Sequence, residues 1–259
     1  MGTGNDLNWL NSERYLKMKI AVQISGQPRF NMDFNTMLKS LETHEVDFYF
    51  HLWSMDSTSH PDLISPTWPN THDEVRDKLT FNLPGNCKID GLKVIPQVPY
   101  TAPTGLNVTP WSNPVNIWYT YYGIKQANNM RLESGKTHDL VIKGRPDAGL
   151  ASVIDCDLIL HYLEKNPRSV IVPNDRRFGM AGQVINDLIA IGLPDTITTY
   201  CNAVDNFKCY NDQGCPYHGE TLLAWHLRSN NIEFPQTNFN CTFREFWYKH
   251  NRIDFGVWA

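Results

Sequence analysis

Ile20-Ala21-Val22-Gln23-Ile24-Ser25-Gly26-Gln27-Pro28-Arg29 reads as a buried strand running directly into a glycine turn. The run from Ile20 to Ile24 is short and almost continuously apolar, the pattern of a strand covered on both faces. Working outward, Phe34, Met37, Leu38 and Leu41 repeat at helical spacing. Phe48-Tyr49-Phe50-His51-Leu52-Trp53 is a second short apolar run, and Lys93 to Val98 a third. Strands alternating with helices predict an α/β fold built on a mostly parallel sheet flanked by helices.

The pattern continues downstream. Asn113 followed by Pro114 supplies a cap and a first-turn proline, so a helix is expected there with Val115, Trp118, Tyr119 and Tyr122 on one face and Gly135 as its stop. Asp139 to Lys143 is an expected strand that leads into Gly144-Arg145-Pro146-Asp147. Leu158 to Glu164 reads as a short helix, with Asp157 as its cap and Asp155 as a turn residue. Ser169 to Val172 is a strand ending at Pro173-Asn174, and Leu188 to Ile191 a further run entered through Asn186-Asp187. Pro194 opens a helix facing inward with Ile197, Tyr200, Cys201, Val204 and Phe207. Another spans Glu220 to Arg228, with Leu222, Leu223 and Leu227 inward. Ser54 to Asn86 and Tyr100 to Pro114 read as long surface connections, and the aromatic stretch from Phe243 to Trp258 as a tail packing back on the domain.

The chain has 259 residues, 41% hydrophobic and 19% charged, which suits one α/β domain from Met18 to Ala259 behind a flexible leader, Met1 to Lys17. A net charge of -4 argues against a grip on nucleic-acid phosphates. The leader lacks the apolar stretch of a secretory signal, and no stretch reaches the roughly 18 apolar residues of a membrane span. A soluble, cytoplasmic protein is therefore expected, with its six cysteines reduced. Cys209, Cys215 and His218 lack the usual ligand spacing of a structural zinc site. Walker-type, dinucleotide and nucleophile-elbow glycine motifs are absent, which weakens kinase, dehydrogenase and hydrolase readings.

Ligands of open α/β sheets bind beyond the carboxyl ends of the strands, so the residues there are the candidates. Ser25 and Gly26 end the first strand, where Gly26 admits close backbone approach and Arg29 offers a fork of donors to phosphate. His51 and Trp53 end the second and can face a base or sugar ring. Lys143, Arg145 and Asp147 leave the fourth together: two cations for a diphosphate, and a carboxylate for a divalent metal or a sugar hydroxyl. Asn174 and Asn186 stand at later sheet ends. Asp187 and Glu220 are the candidate bases, each with a structural alternative in a turn or at a helix start. His218 can reach a metal or phosphate. Asp155-Cys156-Asp157 matches an Asp-any-Asp metal pattern but reads better as turn and cap.

The series formed by Ile20 to Arg29, Phe48 to Trp53, Asp139 to Asp147, Pro173-Asn174, Ile185 to Gly192 and Glu220 to Leu223 resembles a family. It is that of glycosyltransferase-like proteins encoded by large DNA viruses, phages and bacterial surface-polysaccharide clusters. The resemblance runs from about Lys19 to Phe234. It implies a GT-A-like, Rossmann-like fold, a nucleotide-sugar donor, a glycan acceptor and often Mg²⁺ or Mn²⁺, for which Asp147 and His218 are the candidate ligands. The chain departs from the family pattern in Arg145-Pro146-Asp147, which carries one carboxylate; Lys143 and Arg145 could then do the metal's work on the diphosphate. The reading from another class is a non-catalytic glycan- or nucleotide-binding protein of the same fold.

Overall fold

The computed structural model describes residues 17–27, 34–54, 71–81, 83–110, 112–150, 152–173, 185–237 and 241–243; for 81, 236–237 and 241–243 only the backbone is described. The strands are β1 (Lys19–Gly26), β2 (Glu45–Trp53), β3 (Cys87–Ile95), β4 (Leu140–Gly144), β5 (Ala148–Leu150), β6 (Val170–Pro173), β7 (Ala190–Gly192), β8 (Gln236–Thr237) and β9 (Cys241–Phe243). The helices are α1 (Asn35–Ser40), α2 (His72–Phe81), α3 (Pro114–Glu133), α4 (Cys156–Lys165), α5 (Pro194–Cys201), α6 (Phe207–Asp212) and α7 (Gly219–Ser229).

One sheet runs in the order β3-β2-β1-β4-β7-β6-β8, and β5 pairs with β9 in a small antiparallel ribbon. β1 is parallel to β2 and β4, and β2 to β3. β7 is antiparallel to both β4 and β6. The protein is thus α/β, with a mixed, mostly parallel central sheet flanked by helices, as the apolar pattern predicted.

Alternation along β1 and β2 builds two apolar layers. Ile20, Val22, Ile24, Phe48, Phe50 and Leu52 pack on one face, joined by Met37 of α1, Val75 of α2 and Leu163 of α4. Ala21, Tyr49 and Val141 point the other way, to α3, α5, α6 and α7. Each Ile, Leu or Phe fully buried this way contributes about 1.5–3 kcal/mol. With helices on both faces the central strands stay apolar throughout, which is why they were legible.

Several local expectations change. The stretch Ser54 to Asn86 contains α2, started by a capping box: Thr71 Oγ1 accepts from the Glu74 amide at 3.3 Å, and Glu74 Oε2 accepts from the Thr71 amide at 3.3 Å. β3 begins at Cys87 rather than Lys93, because Lys88, Asp90 and Lys93 keep its exposed face polar and hide the run. Asp155, not Asp157, caps α4, accepting from the Leu158 amide at 2.9 Å. The helix opened by Pro194 breaks at Asn202 and continues as a 3-10 turn, Ala203–Asn206, before α6. Asn113 does cap α3, and Gly135 follows it at φ +67°. The buried face of α3, however, is Tyr121, Ile124, Ala127, Asn128 and Arg131. Among the described residues no helix is long and apolar enough to cross a membrane. Residues 1–16 of the leader, Arg29, Asn174 and the tail beyond Phe243 lie outside the described residues.

Candidate functional site

From β1 the chain moves to β2 and β3 on one side and returns to β4 on the other, so the β1/β4 boundary is a topological switch point. A crevice opens there beyond the strand ends. Gly26 ends β1 at φ +138°, a conformation that side chains rarely adopt, and a Cβ on it would sit 3.1 Å from Pro146 Cδ. The glycine lets the ends of β1 and β4 close on each other, and the close approach is to Pro146. Ser25, Gly26, Gln27, Trp53, Arg145 and Asp147 line one cleft, with Gln97, Asn116, Tyr119 and Thr120 opposite.

Arg145 anchors this cleft. Its Nε donates to Asp147 Oδ1 at 2.9 Å and its Nη2 to Oδ2 at 2.8 Å, a bidentate fork. Its Nη1 lies 3.8 Å from Asp187 Oδ1. Burial opposes the guanidinium charge, but the two carboxylates outweigh it and hold the pKa above its usual value. Lys143, two residues earlier, points to the α3 and α5 side and is 1% exposed. Its Nζ donates to the main-chain carbonyl of Asp187 and lies 6.0 Å over the Tyr200 ring. Burial pulls its pKa down to about 8, with Asp187 opposing and Arg145 reinforcing the shift. This placement bonds Lys143 to the segment carrying Asp187 rather than giving it an open face on the cleft.

That segment is set by Asn186, whose Oδ1 accepts from the Leu188 amide at 3.0 Å in an Asx turn. His218 precedes α7, with Nδ1 2.9 Å from Thr221 Oγ1 and Nε2 3.2 Å from Glu220 Oε2. Burial lowers the His218 pKa, against the pull of Asp187. Gly219 packs on Tyr121, whose ring would lie 3.0 Å from a Cβ there. The hydroxyls of Tyr121 and Tyr200 are buried without a hydrogen-bond partner among the described residues. Burial first, and then the charge of Asp187, raises both phenols well above their usual pKa.

His51 is 0% exposed, and neither ring nitrogen has a hydrogen-bond partner among the described residues. Its ring stands edge-on to Trp53 at 4.7 Å, and burial, with Lys93 adding, lowers its pKa to about 4. Trp53 starts an aromatic ladder. It stacks on Tyr122 at 6.1 Å, Tyr122 on Trp118 at 4.5 Å, and Trp118 on Tyr100 at 4.1 Å. The ladder pins the loop before α3, as does the Tyr119 hydroxyl donating to the Val98 carbonyl at 2.8 Å.

The structure therefore gathers Ser25, Gly26, Trp53, Arg145 and Asp147 in one cleft. Asp187 abuts the Arg145 guanidinium, Lys143 bonds beneath it, and His51 lies buried behind the wall. Sequence reasoning missed Gln97, Asn116 and Thr120. The spacing of Asn116, Tyr119 and Thr120, which puts them on one side of a helix start, was the available signal.

Both Asp147 oxygens face Arg145, and both His218 nitrogens already face Thr221 and Glu220. Among the described residues no group of three or more His, Cys, Asp or Glu is arranged to hold an ion. The donor set does not fit a divalent cation at this place. Fold and cleft together define an α/β protein with a crevice at its switch point. No family model matches the chain, and a search of curated proteins found no match.

Proposed function

We propose that this chain is a glycosyltransferase of GT-A-like fold that moves a sugar from a nucleoside-diphosphate sugar to a hydroxyl of a glycan. The observation that carries the reading is the crevice at the β1/β4 boundary, where a fixed guanidinium, carboxylates and carboxamides converge. In such a transfer negative charge grows on the leaving diphosphate. A cation already aimed at it stabilises that charge without reorganising. Arg145 is that cation, held from behind by Asp147.

Gln27, Gln97 and Asn116 offer paired donors and acceptors for the edge of a nucleobase, beside the aromatic wall of Trp53 and Tyr119. Glu220, with a side chain 32% exposed and His218 beside it, is the base that takes the acceptor proton. Asp187, 10% exposed and facing Arg145, steadies the guanidinium instead. The ladder rings stack mainly on one another, which weighs against a binding-only protein that holds glycans by aromatic stacking.

The test is a thermal-shift screen with uridine, guanosine, cytidine and thymidine diphosphate sugars. A rise specific to one donor is expected, since a ligand of the folded state stabilises it. No rise with any donor would sink the reading. Glu220→Gln should then cut release of nucleoside diphosphate to the acceptor reaction by roughly 100-fold or more. The donor-induced shift should be kept, and undiminished turnover in that variant would remove Glu220 from the role.

A further inference from the structure

We infer that Arg145, oriented by Asp147, stands where a divalent metal would act, so that a nucleoside diphosphate binds this cleft without Mg²⁺ or Mn²⁺. The inference rests on the transferase reading and specifies how its diphosphate is held.

The geometry around β4 carries it. Arg145-Pro146-Asp147 offers one carboxylate at the end of the strand, and both of its oxygens are turned onto one guanidinium, at 2.9 and 2.8 Å. The second nearby carboxylate, Asp187, approaches the same guanidinium from a different nitrogen, at 3.8 Å. Two carboxylates that would have to converge on an ion converge on Arg145. Mg²⁺ demands near-octahedral oxygen ligands at short range, and the point between these two side chains is filled by planar nitrogen donors. His218, across at α7, has its nitrogens turned to Thr221 and Glu220.

Arg145 is also placed to act outward. It lines the cleft, and its side chain keeps 23% of its surface exposed. Its backbone is fixed by Pro146 packing against Gly26. A guanidinium stays charged at any working pH and matches two phosphate oxygens with parallel donors. Asp147 thereby acts as a positioning residue, setting the plane of the fork.

The experiment uses the full chain stripped with EDTA and chelating resin. It is titrated calorimetrically with UDP, GDP, CDP and dTDP, once in EDTA and once in excess MnCl₂. One nucleotide is expected to bind with dissociation constants agreeing within about threefold in the two conditions. Arg145→Ala should weaken binding by about 30-fold or more in both, as loss of a charged hydrogen-bonding partner does, and Arg145→Lys should recover only part of it. Mn²⁺ titrated onto the protein alone should keep the full six-line paramagnetic signal of the free ion.

Binding seen only with Mn²⁺, or at least tenfold tighter with it, or a signal quenched by the protein alone, overturns the inference and leaves the transferase reading standing. No nucleotide bound in either condition overturns both. If Arg145→Ala does not fold, the EDTA and MnCl₂ comparison on the unaltered chain decides the matter.

Discussion

The two ends of the central sheet handle charge in opposite ways. At the amino ends of β2, β3 and β4, Asp47 faces Lys88 at 3.3 Å, Lys136 at 3.5 Å and His138 Nε2 at 3.1 Å. Asp90 accepts from the Tyr49 hydroxyl at 2.9 Å and from Lys136. Asp47 and Asp90 each have a cation, Asp139 accepts from the Lys19 amide at 2.8 Å, and the lysines keep partial contact with water. At the carboxyl ends Asp147 and Asp187 both face the Arg145 guanidinium among the described residues, while a lysine is sealed beneath them. His51, Tyr121 and Tyr200 also bury polar atoms without partners among the described residues there. Among the described residues the amino end has two such atoms, His44 Nδ1 and His138 Nδ1, but the charges around Asp47 and Asp90 are paired. An unmet buried polar group costs about 1–3 kcal/mol, so the carboxyl end is held at a local loss that a ligand can offset. The contrast teaches where to look for function: the end where His51, Tyr121 and Tyr200 gather unmet buried polar atoms among the described residues.

The largest test of that contrast is Lys143→Met. The folded pKa of Lys143 is about 8 against an ordinary 10.5. Between those values the unfolded chain holds a proton that the folded chain has released, so stability rises with pH across the window. The native protein should gain about 3 kcal/mol relative to the variant between pH 8 and pH 10.5, from the size of the shift. Urea unfolding of both proteins across that range measures the difference. Parallel curves would mean that the lysine is not held at a loss, and the comparison would break.

His51→Leu sharpens the same point with an effect of similar size in a different pH window. The ring titrates at about 4 in the fold, below its ordinary 6.5. It is neutral when folded, so stability is lost as pH falls from 6.5 to 4, while the unfolded chain takes up the proton. A loss of about 3 kcal/mol is expected in the native protein and absent in the variant. At pH 7 the variant should be at least as stable, because an apolar group of similar size replaces two unmet nitrogens. A destabilised variant at neutral pH would show that His51 has a partner in solution.

How much of this could be read in advance follows the same physics. β1, β2 and β4 were legible because burial on both faces leaves an apolar run, as in Ile20 to Ile24. β3 was half hidden because its outer face is polar, and α2 because its signal is Thr71 and Glu74 rather than an apolar stripe. The cleft residues at strand ends, Ser25, Trp53, Arg145 and Asp147, followed from the rule for open sheets. Gln97, Asn116 and Thr120 did not, since they come from a loop and a helix start that only the tertiary fold brings across from β1. The burial of Lys143 was also out of reach. The alternation of β4 gives its face, but the carbonyl of Asp187 that receives its ammonium lies 44 residues away.

The smallest effect belongs to the balanced end. Lys136→Ala removes a cation that lowers the pKa of Asp90, against its burial, yet leaves Lys88 beside Asp47. Lys136 is 35% exposed, so solvent already screens much of its attraction. A loss of roughly 0.5–1 kcal/mol is expected, since partly exposed ion pairs contribute little. That corresponds to a fall in Tm of roughly 1–4 °C for a domain of this size, and it should shrink as added salt screens the pair. The decisive readout is the donor-induced thermal shift, which should be the same in Lys136→Ala as in the native chain. If removing a satisfied charge at the far end of the sheet also reduced that shift, the two ends would be coupled through β4 and α3. The division into a structural end and a proposed binding end would then no longer hold.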